Sequence, residues 1–475
     1  MPKLIAPTPQ TTSALGLTAF GNLVLPPALW SAPGGEESLY LGHVVDRLRE
    51  MPAGVFQTCC TSPPYWNLRD YGTAKWGGGD PACDHQAPFQ PRSERPNTTA
   101  SDPGRGGDYA DEQAKGSVAY RKLCGKCGAK RIDQQLGSED VHDCFGWATH
   151  NPCGECFTCH MVEVFSEVRR VLRDDGTLWL NLGDTFDEGQ MLVPTSVAMA
   201  LRADGWRLVQ DIIWYAPNKM PESVTNRCSK SHEHIFLLAK GKDWYFDHEA
   251  IKVGAKSKYK SSDFIPNSDK DKQATAATAA SANGRDDEVM DRDVNKRDVW
   301  VVPVASFKGA HFATFSPRLI EPCILAGTSE YGCCAECGKP YERVVVKSGA
   351  VVVGNEGKYD RSIASNRNGL PGSNSTLSGV PATTTTAGWR QGCEHVGAGV
   401  VPCLVLDPFA GSGTTPATAV SLGRRGVGID LSERYLREFA VPRCEAAISG
   451  DRAARKSPEV VLRPAVDDYE PEVIQ

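Results

Sequence analysis

Apolar positions along this chain follow two rhythms, separated by long stretches that follow neither. Between Leu39 and Thr61, a short apolar run, a helical pattern over Val44–Met51 and a second apolar run predict strand, helix and strand. Met161, Val164, Phe165, Val168, Val171 and Leu172 recur at three- and four-residue spacing, which predicts a helix stopped by Asp-Asp-Gly. TLWLNLGDTF then reads as a buried strand, residues 192–204 as a helix and WRLVQDIIWYAP as another strand. HEHIFLLAKGKDWYFD reads as two strands across a turn. Near the C-terminus, Leu404–Leu406 reads as a strand, Thr415–Leu422 as a helix and GVGID as the next strand. Strands alternating with helices of this length predict an α/β fold: a mainly parallel sheet with helices on both faces.

The stretches without periodicity divide the chain. Residues 1–36 read as an irregular lead-in, 37–76 and 161–252 as two parts of one α/β domain, and 77–160 as a Cys-rich insertion between them. Residues 253–297 are Lys-, Ser-, Ala- and Asp-rich, and 347–392 are Gly-, Ser- and Thr-rich; both read as loops or linkers. The remainder reads as a cofactor-side segment (298–332), a second Cys-containing insertion (333–397), a ligand-binding unit (398–450) and a polar tail (451–475).

Composition narrows the class. The 475 residues allow one large or two to three smaller domains, and a net charge of −6 argues against indiscriminate coating of nucleic acid. A single basic face would still admit a nucleic-acid substrate. The N-terminus lacks a signal-peptide core, and no apolar run approaches the roughly 18 residues of a membrane span. The expectation is a soluble cytoplasmic protein with no membrane partner. Seventeen cysteines in a reducing compartment then favour metal binding over disulfides.

Two motifs carry the chemistry. The second apolar run ends in TSPPYW, where consecutive prolines cannot continue a sheet ladder and stiffen the loop that follows. Far downstream, LVLDPFAGSGTT places Gly411 and Gly413 in a tight turn between strand and helix, and Asp430 ends the next strand 23 residues after Asp407. That is a nucleoside-binding βαβ arrangement, with an acid placed for ribose hydroxyls. The loop lacks the Gly-Lys-Ser/Thr of a phosphate cradle, and Pro416 stands where a dinucleotide loop has its third glycine. A cofactor without phosphate fits better, of which S-adenosylmethionine is the common one.

Together, TSPPYW and DPFAGSGTT resemble the amino-group DNA methyltransferases, which alkylate N4 of cytosine or N6 of adenine. The catalytic motif precedes the cofactor loop by about 350 residues, which resembles the circularly permuted β class. The resemblance extends over VFSEVRRVLRDDGTLWLNLGD, HEHIFLLAKGKDWYFD and FKGAHFATFSPRLIEPCILAG, in order. It implies a Rossmann-like S-adenosylmethionine-dependent sheet acting on a base flipped from double-stranded DNA. Ser62 and the Pro63 carbonyl would hold the amino group, Pro64 would stiffen the loop and Tyr65 would stack on the base. The cofactor would meet Asp407, Phe409, Ala410, Gly411, Ser412, Gly413 and Thr414, with Asp430 on the ribose and Phe312 in the remaining wall. Ser at the first motif position resembles the N4-cytosine branch more than the N6-adenine one. Cys59 and Cys60 lie beside the motif, but carbon-5 chemistry needs a different one, so they read as packing residues.

Trp66, Arg69 and Asp70 are candidates for the base pocket, with a structural Arg-Asp pair as the alternative. Lys219 and Arg227 are candidates for phosphate contact. The 253–297 stretch, basic at Lys252, Lys256, Lys258 and Lys260, is a candidate target-reading region or else a solvated linker. Three cysteine groups have the spacing of structural zinc ligands: Cys83, His85, Cys124 and Cys127; Cys144, Cys153, Cys156 and Cys159; Cys334, Cys337, Cys393 and His395. Rival readings are an RNA or protein amino methyltransferase and a catalytically silent DNA-binding zinc protein. The methyltransferase reading also admits a restriction endonuclease counterpart.

Overall fold

In the computed structural model, the residues described are 23–66, 75–87, 118–119, 123–132, 135–139, 142–187, 189–256, 291–304, 316–347 and 384–450. They fall into two units, one within residues 23–250, 297–342 and 391–450, the other within 251–256, 291–296, 343–347 and 384–390.

The first unit is built on one sheet. Its strands are β1 (Trp30–Ser31), β2 (Glu37–Leu41), β3 (Phe56–Thr61), β4 (Leu172–Leu182), β5 (Arg207–Tyr215), β6 (His232–Ala239), β7 (Val299–Val301), β8 (Leu404–Asp407) and β9 (Arg425–Asp430). Across the sheet they lie in the order β1-β2-β9-β8-β3-β4-β6-β5-β7. The run from β2 to β4 is parallel, whereas β6 is antiparallel to both β4 and β5. The sheet is therefore mixed: β6 and the short edge strand β1 run against all the others, and β7 is again parallel to β5. All six residues of β3 are buried, as expected of a central strand covered on both faces.

Helices form two layers. On one face α1 (Val44–Glu50), α2 (Phe157–Val171) and α3 (Val193–Ala203) pack together over Phe56, Leu178, Leu180 and Leu182. On the other, α4 (Pro317–Gly327), α5 (Thr414–Ser421) and α6 (Val441–Ser449) form a second group. Alternation along β4 separates the faces: Leu178 and Leu180 join the first core, while Trp179 sits 6.2 Å from the Phe246 ring and 6.3 Å from Trp300. Gly327 lets α4 approach the sheet, since a Cβ there would lie 2.6 Å from Thr58 Oγ1. Ser316 caps α4, accepting from Arg318 N, and Pro317 opens the helix.

Four expectations change. The lead-in is not wholly irregular, because Trp30–Ser31 pairs with β2 as an edge strand. The helix α2 ends at Val171, before Asp-Asp-Gly, and β4 begins at once. HEHIFLLAKGKDWYFD supplies one strand, not two: β6 already has neighbours on both sides, so WYFD has no edge to join. It turns back instead, with Tyr245 N donating to Asp175 O and Asp247 N to Ala326 O. Within the stretches read as loops, Val253–Lys256 pairs with Asp291–Val294, and Thr384–Arg390 pairs with Glu342–Lys347, the strand that leads into the second stretch. Residues 257–290, 348–383 and the tail 451–475 lie outside the described residues. Among the described residues no helix is long and apolar enough to cross a membrane.

Candidate active site and metal centres

Strands β3 and β8 are neighbours whose chains leave in opposite directions, β3 toward β4 and β8 toward β9. In open α/β sheets, the region beyond the carboxyl ends of two such diverging strands is the usual ligand site. The two sequence motifs meet there. Thr61 Oγ1 at the end of β3 donates to Asp407 Oδ1 at the end of β8, at 2.6 Å.

The glycine loop is tied down from three sides. Asp407 Oδ1 accepts from Phe409 N at 3.1 Å, Ala410 N donates to Ile429 O, and Gly411 N donates to Asp430 Oδ2 at 2.8 Å. Asp430 Oδ1 accepts from Ser432 N. From α6, Arg443 donates to Ser412 Oγ at 3.1 Å and Thr414 Oγ1 at 2.7 Å. Gly411 and Gly413 have φ of +50° and +76°, a region costly for any side chain. Pro416 takes the place of a third glycine because the close approach is made by the strand instead. A Cβ on Gly426 of β9 would stand 2.7 Å from Pro416 Cα.

This cradle suits S-adenosylmethionine. A Cβ on Gly411 would meet no atom within 4 Å, so the loop borders open space. Asp407 Oδ2 is buried without a hydrogen-bond partner among the described residues, an anionic atom left for a cation. Burial pushes the Asp407 carboxyl up to about 6 and also raises that of Asp430.

On the β3 side, Ser62 Oγ donates to Tyr65 Oη at 3.3 Å. Tyr65 Oη lies 2.6 Å from Glu233 Oε2 and 3.1 Å from Asn181 Oδ1, two acceptors for its one proton. Glu233 Oε1 is paired with Lys219 Nζ at 3.2 Å. The Tyr65 ring lies against Gly183, where a Cβ would come within 2.5 Å of Cε2. Pro63 is buried and Pro64 half-buried, so the loop is held as well as stiff. Cys59 and Cys60 are fully buried, and burial raises both thiols well above their ordinary range. They have the environment of packing residues.

Other candidates are placed differently from their expected roles. Trp66 is only 7% exposed, with Nε1 donating to Glu139 O, so it faces the insertion rather than an open pocket. Lys219 is turned to Glu233 beside the Ser-Pro-Pro-Tyr loop, and Arg227 pairs with Glu222 and lies 3.6 Å over the Phe186 ring. Arg69, Asp70 and Phe312 lie outside the described residues. Thr61, Asn181, Glu233 and Arg443 were not predicted. Thr61 opens the TSPPYW motif, Asn181 lies in TLWLNLGD and Glu233 in HEHIFLL, all within recognised stretches, whereas nothing local marks Arg443.

The three cysteine groups assemble as their spacing predicts. In each, the four ligand atoms lie within 4.8 Å of one another: Cys83, His85, Cys124, Cys127; Cys144, Cys153, Cys156, Cys159; and Cys334, Cys337, Cys393, His395. Every cysteine is free. The Cys83–Cys124 and Cys153–Cys159 sulfurs are 3.7 Å apart, too far for a disulfide. A tetrahedron with metal–sulfur bonds of about 2.3 Å has an edge of about 3.8 Å, so the donor sets fit a tetrahedral zinc ion. The backbone amide of Glu155 helps lower the Cys153 thiol to about 6, favouring the thiolate a metal needs.

A family model described as a DNA methylase, covering N6 and N4 enzymes, matches residues 56–335 and 403–441. Type II methyltransferase M.Cfr9I of Citrobacter freundii is 29% identical over 321 residues, spanning 61% of this chain and 72% of its own. Type II methyltransferase M.SmaI of Serratia marcescens is 26% identical over 428 residues, spanning 84% and 87%. The solved PvuII DNA methyltransferase (cytosine-N4-specific) overlays 88% of each chain at 12% identity, with a TM-score of 0.41. That overlay is too loose to carry any detail of the site.

Proposed function

The chain belongs to the N6/N4 DNA methylase family, and on that premise we propose that it methylates N4 of a cytosine flipped from duplex DNA, using S-adenosylmethionine. The observation that carries this is the junction of the two motifs. The Ser-Pro-Pro-Tyr loop and the glycine loop leave adjacent strands and are joined by the Thr61–Asp407 hydrogen bond.

The residues explain how a poor nucleophile could react. An exocyclic amino group has its lone pair delocalised into the ring. Acceptors that hold both N–H groups localise that pair and aim it, and orientation lowers the barrier. A serine hydroxyl accepts well only if its own proton is directed elsewhere. Ser62 donates to Tyr65 Oη, and Tyr65 in turn is 2.6 Å from the Glu233 carboxylate. This relay leaves Ser62 lone pairs facing the base, and each bond polarises the next. The Pro63 carbonyl is the second acceptor, Pro64 keeps the loop rigid, and the Tyr65 ring is the stacking face. Asp407 takes the cofactor's ammonium, Asp430 its ribose, and the backbone of Phe409, Ala410, Gly411, Ser412, Gly413 and Thr414 surrounds it. Bound S-adenosylmethionine supplies an electrophilic sulfonium methyl. Lys219 acts on Glu233 rather than on phosphate. Arg227 and the 253–297 segment remain the DNA-facing candidates.

Ser62 supports cytosine over adenine, and N6 of adenine is the alternative. The three Cys/His groups hold structural zinc, and the free thiols suit the cytoplasm, where the DNA is. The Type II relatives suggest pairing with a restriction endonuclease of the same target.

Expression in cells followed by sequencing that separates N4-methylcytosine from N6-methyladenine gives base and target together. N6-methyladenine alone would overturn the cytosine assignment, and transfer only to RNA or protein would overturn the DNA reading. Ser62→Ala and Tyr65→Ala are expected to lose turnover by roughly a hundredfold or more while still binding cofactor. A wild-type rate in Tyr65→Ala would remove the stacking role.

A further inference from the structure

The geometry points to the Cys144, Cys153, Cys156 and Cys159 centre as a zinc site that positions the catalytic loop through Trp66. The inference rests on the methyl-transfer and zinc readings above and adds a link between them.

The link is a run of direct contacts. Cys156 caps α2, its Sγ accepting from Cys159 N. Between these two ligands, Thr158 donates to His142 O from its amide at 3.2 Å and from its hydroxyl at 2.9 Å. The His142 ring packs on the Trp66 indole with centroids 4.8 Å apart. Trp66 Nε1 donates to Glu139 O at 2.9 Å, and the Glu139 carboxylate holds His160 Nδ1 and Gly137 N, each at 2.8 Å. Gly137 in turn backs the Tyr65 carbonyl, which a Cβ at that position would approach to 2.9 Å. The segment is thus anchored by sulfur ligands at one end, and at the other by the residue that follows Tyr65.

Packing anchors only part of it: between His142 and Cys156 the regular structure is one 3₁₀ turn, Phe145–Thr149, which lies against α3 with Trp147 on the core. Four thiols at contact distance cross-link nothing until a cation joins them. The Cys334, Cys337, Cys393 and His395 centre is attached elsewhere. Its loop docks through Gly338 O on Gln57 Nε2 and Cys337 O on Arg173, at the start of β3 and β4. The glycine loop is held by Asp407, Asp430 and Arg443. Loss of metal from the Cys144 centre therefore affects methyl transfer and spares cofactor binding.

The test uses the full chain, with zinc content by elemental analysis, S-adenosylmethionine affinity by calorimetry and kcat and KM on unmethylated DNA carrying the target site. Cys153→Ser removes an exposed ligand. It is expected to hold one zinc fewer per chain and to lose kcat by roughly tenfold to a hundredfold. Its cofactor affinity is expected to stay within about twofold. Cys153→His, which keeps a ligand, restores both zinc and kcat. Trp66→Phe keeps all its zinc and its cofactor affinity but loses kcat. Full zinc content in Cys153→Ser overturns the metal at this centre. One zinc fewer with unchanged kcat overturns the positioning role, as does loss of cofactor binding in both variants. A wild-type chain that holds zinc but methylates no DNA sinks the methyl-transfer reading itself.

Discussion

Asp407 is the residue on which both halves of the site depend. One oxygen receives Thr61 and the amide of Phe409, and the other is buried without a partner among the described residues. Burial raises its carboxyl to about 6, so it is ionised at neutral pH and protonated below that value. Only the ionised form can neutralise an ammonium. Cofactor affinity is therefore expected to be level above pH 7 and to fall by up to roughly tenfold per pH unit below 6. Asp407→Asn should bind weakly at every pH and lose that slope. Calorimetry from pH 5 to 8 decides it, and a level wild-type profile would detach Asp407 from the ammonium. Asp407 was legible because it sits inside a motif. Glu233 was not, although it is 2.6 Å from Tyr65 Oη. It lies 168 residues away in a strand whose local pattern gives it no distinction.

At the scale of elements, the pairing of α5 with β9 sets the shape of the cofactor loop. The sequence placed both elements and noted that Pro416 breaks the dinucleotide pattern. It did not show that the missing glycine's task had moved to the strand, where Gly426 and Gly428 face Pro416. Gly426→Ala would put a methyl group 2.7 Å from Pro416 Cα. The variant is expected to lose about 1–3 kcal/mol of stability, because a close-packed interface cannot absorb the carbon without shifting. Its cofactor affinity should fall with it as α5 moves outward. Thermal unfolding and calorimetry on the same sample check this, and unchanged values would show that the contact relaxes freely. Periodicity failed at WYFD for a related reason. An apolar run has strand character only if a sheet edge is free to receive it, and β4 and β5 already occupy both edges of β6.

For the whole molecule, the question is how segments some three hundred residues apart form one sheet. Gln57 shows one answer. Its Nε2 donates to Gly338 O at 2.8 Å and its Oε1 accepts from Leu404 N at 2.6 Å, so one buried side chain joins three distant segments. Gln57→Leu strands a buried carbonyl and a buried amide, at a cost of about 2–5 kcal/mol. Urea unfolding would register it as a lower midpoint. A change below about 0.5 kcal/mol would mean that other groups take over both bonds.

By itself, the sequence determined the alternation of strands and helices and the two chemical motifs, and it offered twelve Cys and His positions as candidate ligands. Periodicity, turn chemistry and the close-spaced Cys pairs act within a few residues, whereas joining Cys83 to Cys124 or Cys337 to Cys393 took the fold. Only the tertiary structure decided which strands are neighbours, and so that Thr61 meets Asp407, that Glu233 completes the Ser62–Tyr65 chain and that Trp66 turns into the insertion. Those contacts depend on sheet order and on which edges are already filled. The energies that choose an order are summed over the packed core, where no single stretch of sequence records them.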